Sequence, residues 1–278
     1  MALLETSTKT YGNYIDGEWV ESESKKTFES INPADIRECV GRFQESVAAD
    51  VNRAIEAAER AFPAWASTPP SQRAAILNKA ADILESRADQ YGEELTREEG
   101  KPLGDSKMEV RRSAQTLRFY AVEGQSFTGE TFPNDDPNML VYTLREPLGV
   151  ASVITPWNFP ISIPSRKIAP ALITGNTVVF KPSSETPLIA LRLVEALHEA
   201  GIPKGVINLV TGPASQTGGP LASHPAVRAI SFTGSNAAGE AIHRAASLTT
   251  RLQMELGGKN PLIVMEDGDL DLAVSLAV

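Results

Sequence analysis

From residue 148 onward, short apolar stretches alternate with helical patterns, and this alternation restricts the possible folds more than any other feature of the sequence. Strands are predicted over 149–154, 177–180, 206–210, 228–232 and 251–256, and helices near 161–172, 186–200, 215–222 and 236–246. Apolar strands that alternate with helices form βαβ units, and the resulting parallel sheet needs helices on both faces. The sequence therefore predicts an α/β fold built on an open parallel sheet.

The first 125 residues mix short strands with helices. A hairpin is predicted over 13–20, because Asp16-Gly17 is a turn dipeptide between two apolar stretches. A further strand is predicted over 39–47. Asp50 is predicted to be the N-cap of a first helix and Ser71 the cap of a second, and a third helix runs from the break at 100–102 to about 123.

The segment 126–146 separates these two parts and differs from both. Two extended stretches flank the sequence PNDDP at 133–137, which is a dense turn signal. The segment is therefore predicted to be a protruding β-hairpin. A last strand is predicted over 261–264, and no short repeat or low-complexity segment is apparent.

Composition excludes several classes of function. The 26 basic and 35 acidic residues give a formal net charge of −9, which argues against nucleic acid and anionic lipid as partners. The single cysteine, Cys39, and three scattered histidines predict neither a disulfide scaffold nor a metal site. The first eleven residues lack the apolar core of a signal peptide, and no apolar run is long enough for a membrane span. A cytoplasmic protein is expected.

Ligands of open parallel sheets bind beyond the carboxyl ends of the strands, so the segments at those ends are the candidate sites. TPWNFP at 155–160 fixes Asn158 between two prolines, as suits a donor to an oxyanion; it fits equally a proline-rich turn with a buried tryptophan. KPSSETP at 181–187 places a cation and hydroxyls before a helix, as suits an anionic or ribose-bearing ligand; it could also be an exposed loop capped by Thr186.

Two further strand ends carry glycines. FTGSNAAG at 232–239 runs from strand through Gly234 into a helix, an arrangement that lets a phosphate approach free backbone N–H groups, although it lacks the G-x-G-x-x-G pattern. MELGGKNP at 254–261 places Glu255 before two glycines. Glu255 is either a general base with room for water beside it or a carboxylate bound by the amides of the glycine turn.

In this order and spacing, TPWNFP, KPSSETP, FTGS and ELGGKNP closely resemble the aldehyde dehydrogenase superfamily, and INPADIRECVGR and GNTVVFKP are similar to it as well. The resemblance implies a Rossmann-like sheet, an aldehyde substrate, and NAD or NADP as cofactor. It implies catalytic roles for Asn158 as oxyanion donor, Glu255 as the base that activates water, and Lys167 behind the active site. The implied cofactor-binding residues are Thr155, Pro156, Trp157, Lys181, Ser183, Ser184, Gly212, Phe232, Thr233, Gly234, Ser235, Leu256 and Gly257.

The resemblance also implies a choice of cofactor and a division of the chain. Ser184 stands where strict NAD users often carry Glu, which favours NADP, although Glu185 follows directly. The implied nucleotide-binding domain comprises 1–125 and 148–257, 126–147 is an oligomerisation hairpin, and 258–278 begins a catalytic domain that is mostly missing. A full-length member would be a homo-oligomer, and the KPSSETP loop is similar to that of ketoglutarate semialdehyde dehydrogenases.

The expected nucleophilic cysteine does not occur in the sequence. It would follow Glu255 by roughly thirty to forty residues, whereas 23 residues (278 − 255) follow here, and Cys39 is expected to serve in packing. The apolar ending at 276–278 fits either a cut through an element or a short docked helix. Two hypotheses stay open: part of an aldehyde dehydrogenase, or an inactive fragment that binds nucleotide or pairs subunits. With the partner domain absent, exposed apolar surface and aggregation are expected.

Overall fold

A computed structural model describes residues 9–277. The first and last residues of the predicted domains, 1 and 278, lie outside the described residues, as does most of the segment considered for a signal peptide. The strands, in chain order, are β1 (Asn13–Ile15), β2 (Glu18–Val20), β3 (Thr27–Ile31), β4 (Cys39–Gln44), β5 (Thr131–Phe132), β6 (Val141–Tyr142), β7 (Val150–Ile154), β8 (Thr177–Lys181), β9 (Ile207–Leu209), β10 (Val227–Thr233) and β11 (Arg251–Glu255). The helices are α1 (Ala48–Ala66), α2 (Pro70–Ser86), α3 (Ala88–Glu99), α4 (Leu103–Glu123), α5 (Ser162–Ile173), α6 (Pro187–Glu199), α7 (Ala214–Ser223), α8 (Asn236–Ala245) and α9 (Leu270–Ala277).

The main sheet has seven strands in the order β11-β10-β7-β8-β9-β1-β2. The five strands from β11 to β9 are parallel, and β1 joins β9 in antiparallel orientation. The predicted Rossmann-like α/β fold is therefore confirmed. The chain leaves β7 towards β8 and later returns to the other side of β7 with β10, which creates a crevice at the carboxyl ends of the strands, where such folds bind ligands.

Both faces of the sheet are buried, as a parallel sheet requires. Val178 and Phe180 contribute to a core shared with helices α2 to α6, whereas Val179, between them, belongs to a second core shared with α1, α7 and α8. Successive side chains on a strand point to opposite faces, so the continuous apolar run in β8 serves both cores. Helices therefore pack against both faces of the sheet and hold its strands in place.

The hairpin predicted near the N-terminus is confirmed and has a further role. β1 and β2 are joined by Asp16 and Gly17, which have φ of 54° and 83°, the left-handed values that a tight hairpin turn needs. Tyr14 pairs with Leu209 of β9, so the hairpin extends the main sheet. The sequence did not predict this pairing because the two strands lie far apart along the chain.

Three local predictions were wrong. Asp50 is not the N-cap of α1, since the helix begins at Ala48; its carboxylate instead accepts hydrogen bonds from the backbone N–H of Val47 and of Glu23, both at 2.9 Å. Ser71 is not a cap either, because α2 begins at Pro70. The stretch predicted as a strand over 261–264 has no regular structure and is exposed.

Two segments lie on the surface of the fold. The predicted hairpin within 126–146 is present as the pair β5–β6, with Phe132 opposite Val141, and most of its side chains are exposed. In 256–277 nearly every residue is exposed, and α9 has no buried residue, so it is not docked. Across residues 9–277, none of the helices combines the length and the apolar character that crossing a membrane requires.

Candidate active site

The strand ends that the sequence singled out lie along one edge of the main sheet. Ile154 at the end of β7 is the register partner of both Lys181 in β8 and Phe232 in β10, and Thr233 is the partner of Glu255 in β11. The segments that follow these strands therefore begin side by side. Hydrogen bonds continue past the strands, since the N–H of Thr155 donates to Lys181 at 3.2 Å and the N–H of Gly234 to Glu255 at 3.1 Å.

The loop 155–160 leaves β7 with its polar groups accessible. Trp157 is 54% exposed, so the alternative of a turn around a buried tryptophan is wrong. The Asn158 side chain is also exposed, and its backbone carbonyl accepts a 2.7 Å hydrogen bond from Lys101 Nζ. That ammonium also lies 4.2 Å from the ring centre of Phe159, a cation–π contact. Lys101 thus contacts the loop on both sides of the Asn158–Phe159 peptide bond.

A buried carboxylate anchors the far end of this loop. Glu109 Oε2 lies 2.6 Å from Lys101 Nζ, and Glu109 Oε1 accepts hydrogen bonds from the backbone N–H of Ile161 at 3.3 Å and of Ser162 at 3.1 Å. The carboxylate therefore sits at the N-terminus of α5, where negative charge is favoured. Sequence reasoning missed both residues, because their contact with the loop is set by the packing of α4 on α5.

The side chain of Lys167 in α5 reaches a group of polar residues on β10 and β11: Ser231, Gln253 and Glu255. Lys167 Nζ donates to Ser231 Oγ at 3.0 Å and to Gln253 Oε1 at 3.1 Å, and Gln253 Nε2 donates to Glu255 Oε1 at 2.9 Å. Burial lowers the pKa of Lys167 to about 8, while the charge of Glu255 opposes that shift. Glu255 is thus bound by a side-chain amide, contrary to the alternative in which the glycine-turn amides bind it.

A cleft of about 680 Å³ opens beside these side chains. Glu255 and Thr233 line it on the sheet side, and Tyr120, Ile163 and Arg166 line it on the helix side. The cleft is open to solvent, so a carboxylate there has room for a water molecule and a small substrate beside it. This space is what a general base needs in order to act on water.

Lys181 lies at the base of a second, mostly apolar cleft between α7 and α8. Its side chain is buried, its ammonium donates to the Pro182 carbonyl at 3.0 Å, and burial lowers its pKa to about 8. The other residues that line this cleft are Ile154, Ala214, Gly218, Gly219, Ala222, Phe232, Ala238, Ala241, Ile242 and Ala245. The small side chains leave about 220 Å³, with one cation at the polar end.

The loop after β8 connects Lys181 to the rest of the edge. Ser184 Oγ donates to the Gly212 carbonyl at 3.0 Å, and Ser183 Oγ accepts from the backbone N–H of Glu185 at 3.2 Å. Gly212 has φ of 128°, and a Cβ there would lie 2.7 Å from the backbone nitrogen of Ser46. Only glycine fits that position, so the placement of the carbonyl that accepts the Ser184 hydrogen bond requires glycine at 212.

The alternative of an exposed loop capped by Thr186 does not describe this segment. Thr186 is buried and makes no side-chain cap to α6; its hydroxyl instead contacts the Trp157 carbonyl at 3.5 Å. The cap comes from Glu98, whose side-chain carboxyl oxygens accept hydrogen bonds from the backbone N–H of Leu188 at 2.6 Å and of Ile189 at 3.0 Å. Together with Trp157, Ser183 and Ser184, Glu98 lines a third cleft.

The turn between β10 and α8 has the predicted strand–glycine–helix form. Ser235 is the N-cap of α8, and its Oγ accepts a hydrogen bond from the N–H of Ala238 at 3.3 Å. A Cβ on Gly234 would lie 2.5 Å from the Phe232 ring, so a larger residue would disturb the turn. The N-terminus of α8, a helix of 10 residues, is exposed and follows a tight glycine turn. Such a helix start is suited to binding an anion.

The segment after β11 runs beside this turn. Leu256 packs on α8 so closely that a Cβ on Gly239 would lie 2.6 Å from Leu256 Cδ2. At Gly257, the nearest atom to such a Cβ is Asn236 Oδ1 at 3.7 Å. The backbone at 256–257 is therefore open to a flat ligand that approaches from the crevice.

The predicted site residues thus fall into neighbouring groups along one edge. Lys181 and Phe232 line the apolar cleft, Lys167, Thr233 and Glu255 line the cleft beside β11, and Trp157, Ser183 and Ser184 line the third. Pro156, at the edge between them, is half-buried. Cys39 is not part of these groups: it lies in β4, paired with β3 in a separate sheet. Within residues 9–277, no cluster of His, Cys, Asp or Glu side chains could hold a metal ion.

Comparisons with known proteins agree with this arrangement. Residues 19–278 match the model of the aldehyde dehydrogenase family. The chain is 47% identical over 274 residues to an alpha-ketoglutaric semialdehyde dehydrogenase of Bacillus subtilis, which covers 98% of this chain and 56% of that protein. It therefore spans a little over half the length of that relative.

Solved structures give the same result. Betaine aldehyde dehydrogenase from Staphylococcus aureus, in complex with NAD+, has a TM-score of 0.92 at 38% identity, with 96% of this chain and 53% of that one covered. An NADP-dependent enzyme from E. coli has a TM-score of 0.92 at 37% identity, with 99% and 57% covered. The family model, the relative and the shared fold together establish that this chain belongs to the aldehyde dehydrogenase family.

Proposed function

We propose that this chain binds a nicotinamide dinucleotide and contributes to the oxidation of an aldehyde to a carboxylic acid. One observation carries the proposal: the strand ends at Ile154, Lys181, Thr233 and Glu255 share one edge, with an apolar cleft on the α7–α8 face of the sheet and a carboxylate in an open cleft on the α5 face. This arrangement provides separate places for a nucleotide and for a substrate.

The residues present fit a dinucleotide. The apolar cleft between α7 and α8 suits an adenine ring, and Lys181 at its polar end suits the hydroxyls of the adjoining ribose. The N-terminus of α8, with Gly234 and Ser235, suits the pyrophosphate, and the open backbone at 256–257 suits the nicotinamide ring. Thr155 Oγ1 is buried at this edge without a hydrogen-bond partner among the described residues, as expected of a group that faces a polar ligand.

The bound nucleotide would supply the hydride acceptor; the chemistry of the remaining steps falls to side chains. Asn158, exposed on a loop held by Lys101 and Glu109, would donate to the oxyanion that forms when a thiolate adds to the aldehyde. Glu255 would take a proton from the water that hydrolyses the thioester. Lys167 would stabilise the Glu255 carboxylate from behind, by charge and through Gln253.

The nucleophile is the one group that this edge does not supply. Cys39, the single cysteine of the sequence, is half-buried in the β3–β4 sheet, and its thiol contacts the Gly41 carbonyl at 3.5 Å. We therefore infer that the 278 residues bind nucleotide by themselves but do not turn over aldehyde, as the fragment hypothesis holds. A subunit-pairing role remains the alternative for the exposed β5–β6 hairpin.

We infer a preference for NADP over NAD. Ser184 offers a hydroxyl where a carboxylate would repel a 2′-phosphate, and its present partner, the Gly212 carbonyl, would be exchanged for a phosphate oxygen. The exposed Glu185 next to it limits the preference, because its charge acts against the same phosphate.

The substrate that we propose is a semialdehyde, as in the Bacillus relative. Arg166 supports this choice, because it lines the cleft of Glu255 and makes no ion pair among the described residues. A guanidinium so placed is available to a second polar group on the substrate.

The same proposal assigns domains and a cellular setting. We propose that 1–125 and 148–257 form the nucleotide-binding domain, that 258–278 begins the catalytic domain, and that 126–147 pairs subunits in a homo-oligomer. The chain would work in the cytoplasm, without a nucleic-acid or membrane partner.

Calorimetric titration with NADP+ and NAD+, run beside an assay with a panel of aldehydes, tests the proposal. Saturable binding without turnover is expected. Lys181→Ala should weaken binding by about 10- to 100-fold, the value of a hydrogen bond to a buried cation. Lys204→Ala, which removes an exposed lysine paired with Glu18, is the matched control and should leave binding unchanged. No binding of either nucleotide would refute the nucleotide-binding role, and robust turnover would refute the inferred lack of a nucleophile.

A further inference from the structure

Gln253 lies between two residues of the proposed mechanism and contacts both. Its Oε1 accepts a hydrogen bond from Lys167 Nζ at 3.1 Å, and its Nε2 donates to Glu255 Oε1 at 2.9 Å. A third contact joins Gln253 Oε1 to the hydroxyl of Ser231. The described contacts thus form a continuous chain from the ammonium of Lys167 to the carboxylate of Glu255.

The backbone dictates this arrangement. Gln253 and Glu255 are two residues apart on β11, so their side chains leave the same face of the sheet. Ser231 is the register partner of Gln253 on β10, which places its hydroxyl beside the glutamine on that face. Lys167 reaches the same point from α5, which packs on this face.

The amide of Gln253 can take only one orientation here. An ammonium only donates hydrogen bonds and an ionised carboxylate only accepts them, so the amide oxygen must face Lys167 and the NH2 group must face Glu255. Aspartate or glutamate at 253 would repel Glu255, and an apolar side chain would contact neither group. A side-chain amide satisfies both partners at once.

We propose that Gln253 is a positioning residue that holds the Glu255 carboxylate beside Lys167 by bridging the two side chains. The inference deepens the proposed function, because it concerns the residue assigned there as the general base. Without the bridge, Glu255 would turn into the open cleft, since Gln253 makes the only side-chain hydrogen bond to its carboxylate among residues 9–277.

The bridge should couple the ionisation of Lys167 to Glu255. The polar and titratable residues that line the cleft with Lys167 are Tyr120 of α4, Arg166 of α5, Ser231 and Thr233 of β10, and Gln253 and Glu255 of β11. Among them Glu255 carries the one negative charge, and it favours the protonated lysine against the burial that lowers the lysine pKa to about 8. The size of that favourable effect depends on how close Gln253 holds the carboxylate.

A double-mutant cycle on the full 278-residue chain tests the coupling. The pKa of Lys167 is measured from the pH dependence of its acetylation by acetic anhydride, quantified by mass spectrometry of the Lys167 peptide. Glu255→Gln should lower the pKa of Lys167 in the wild-type background. In a Gln253→Met background, the same Glu255→Gln change should lower it by less than about half as much, because the carboxylate is no longer held.

Ser231→Ala is the matched control background. It removes the hydroxyl that contacts Lys167 and Gln253 Oε1 but keeps both hydrogen bonds of the Gln253 bridge, so the effect of Glu255→Gln should keep its wild-type size there. Gln253→Leu provides a second bridge-free variant if Gln253→Met does not fold, as judged by thermal melting. The same shift in the wild-type and Gln253→Met backgrounds would overturn the proposal.

The Gln253 bridge and the proposed nucleotide binding can fail separately. NADP+ is titrated into the same variants: coupling without NADP+ binding would leave the bridge intact and reject the nucleotide role. Binding without coupling would reject the bridge alone.

Discussion

Three glutamates along this sheet edge have different roles, and the residues around each glutamate determine its role. Glu109 pairs with Lys101 and anchors a loop, Glu98 caps α6, and Glu255 faces an open cleft. A motif in the sequence identified only Glu255. Glu98 and Glu109 act through contacts with segments more than fifty residues away, which no local pattern reveals.

Glu98 makes the stability of the fold depend on pH. Burial raises its pKa to about 8, although the two N–H groups of α6 oppose the shift. The unfolded chain loses this proton near the ordinary pKa of 4.5, whereas the folded chain keeps it until about 8. The folded state thus binds more protons in that window, so its stability falls with rising pH by up to about 1.4 kcal/mol per pH unit.

Urea unfolding between pH 5.5 and pH 9 measures this effect. Glu98→Gln should reduce the decline, whose remainder comes from Glu99, where burial also raises the pKa. Glu93→Gln, at an exposed glutamate on the same helix, should retain the full decline. An identical pH dependence in Glu98→Gln and in the wild type would show that another group is responsible.

Ser184 is predicted to set the cofactor preference. Ser184→Glu should lower the affinity for NADP+ relative to NAD+ by about tenfold or more, because a carboxylate repels the 2′-phosphate. Competitive calorimetric titration of the two nucleotides measures the ratio. Ser184→Ala separates the loss of the hydroxyl from the added charge and should change the ratio less; an unchanged ratio in Ser184→Glu would place the 2′-phosphate elsewhere.

Elements were predicted well where one periodic pattern was enough. β7, β8, β10 and β11 and the helices α5 to α8 lie within about two residues of their predicted bounds, because buried strands and helices differ clearly in apolar spacing. The pairing of β1 with β9 was not predictable, since it depends on residues nearly two hundred positions apart. The apolar run at 261–264 was mistaken for a strand because apolar character alone does not establish a pairing partner.

The hydrogen bonds that Asp50 accepts at the start of α1 are predicted to stabilise the fold. Asp50→Ala leaves the N–H groups of Val47 and Glu23 without their buried acceptor, which should cost about 1–3 kcal/mol of unfolding free energy. Glu56→Ala, on the exposed face of the same helix, should cost less than about 0.5 kcal/mol. Equal losses in urea unfolding would mean that Asp50 does not stabilise the helix start.

At the scale of the whole molecule, exposed apolar side chains are concentrated between residues 262 and 276. Leu262, Ile263, Met265, Leu270 and Leu276 are each at least 60% exposed and lie within one stretch of the chain. Exposed apolar patches of this kind favour association. Sedimentation velocity should therefore show self-association that increases with concentration. Replacing Ile263 and Met265 by Ser should reduce it, whereas a monomer at all concentrations would contradict the prediction.

Hydrogen–deuterium exchange with and without NADP+ shows whether the carboxyl edge of the main sheet forms a dinucleotide site. If it does, NADP+ should slow exchange in 155–158, 182–186, 234–239 and 256–258 and leave exchange in the β5–β6 hairpin unchanged. Protection confined to other segments, or no protection at saturating NADP+, would contradict it.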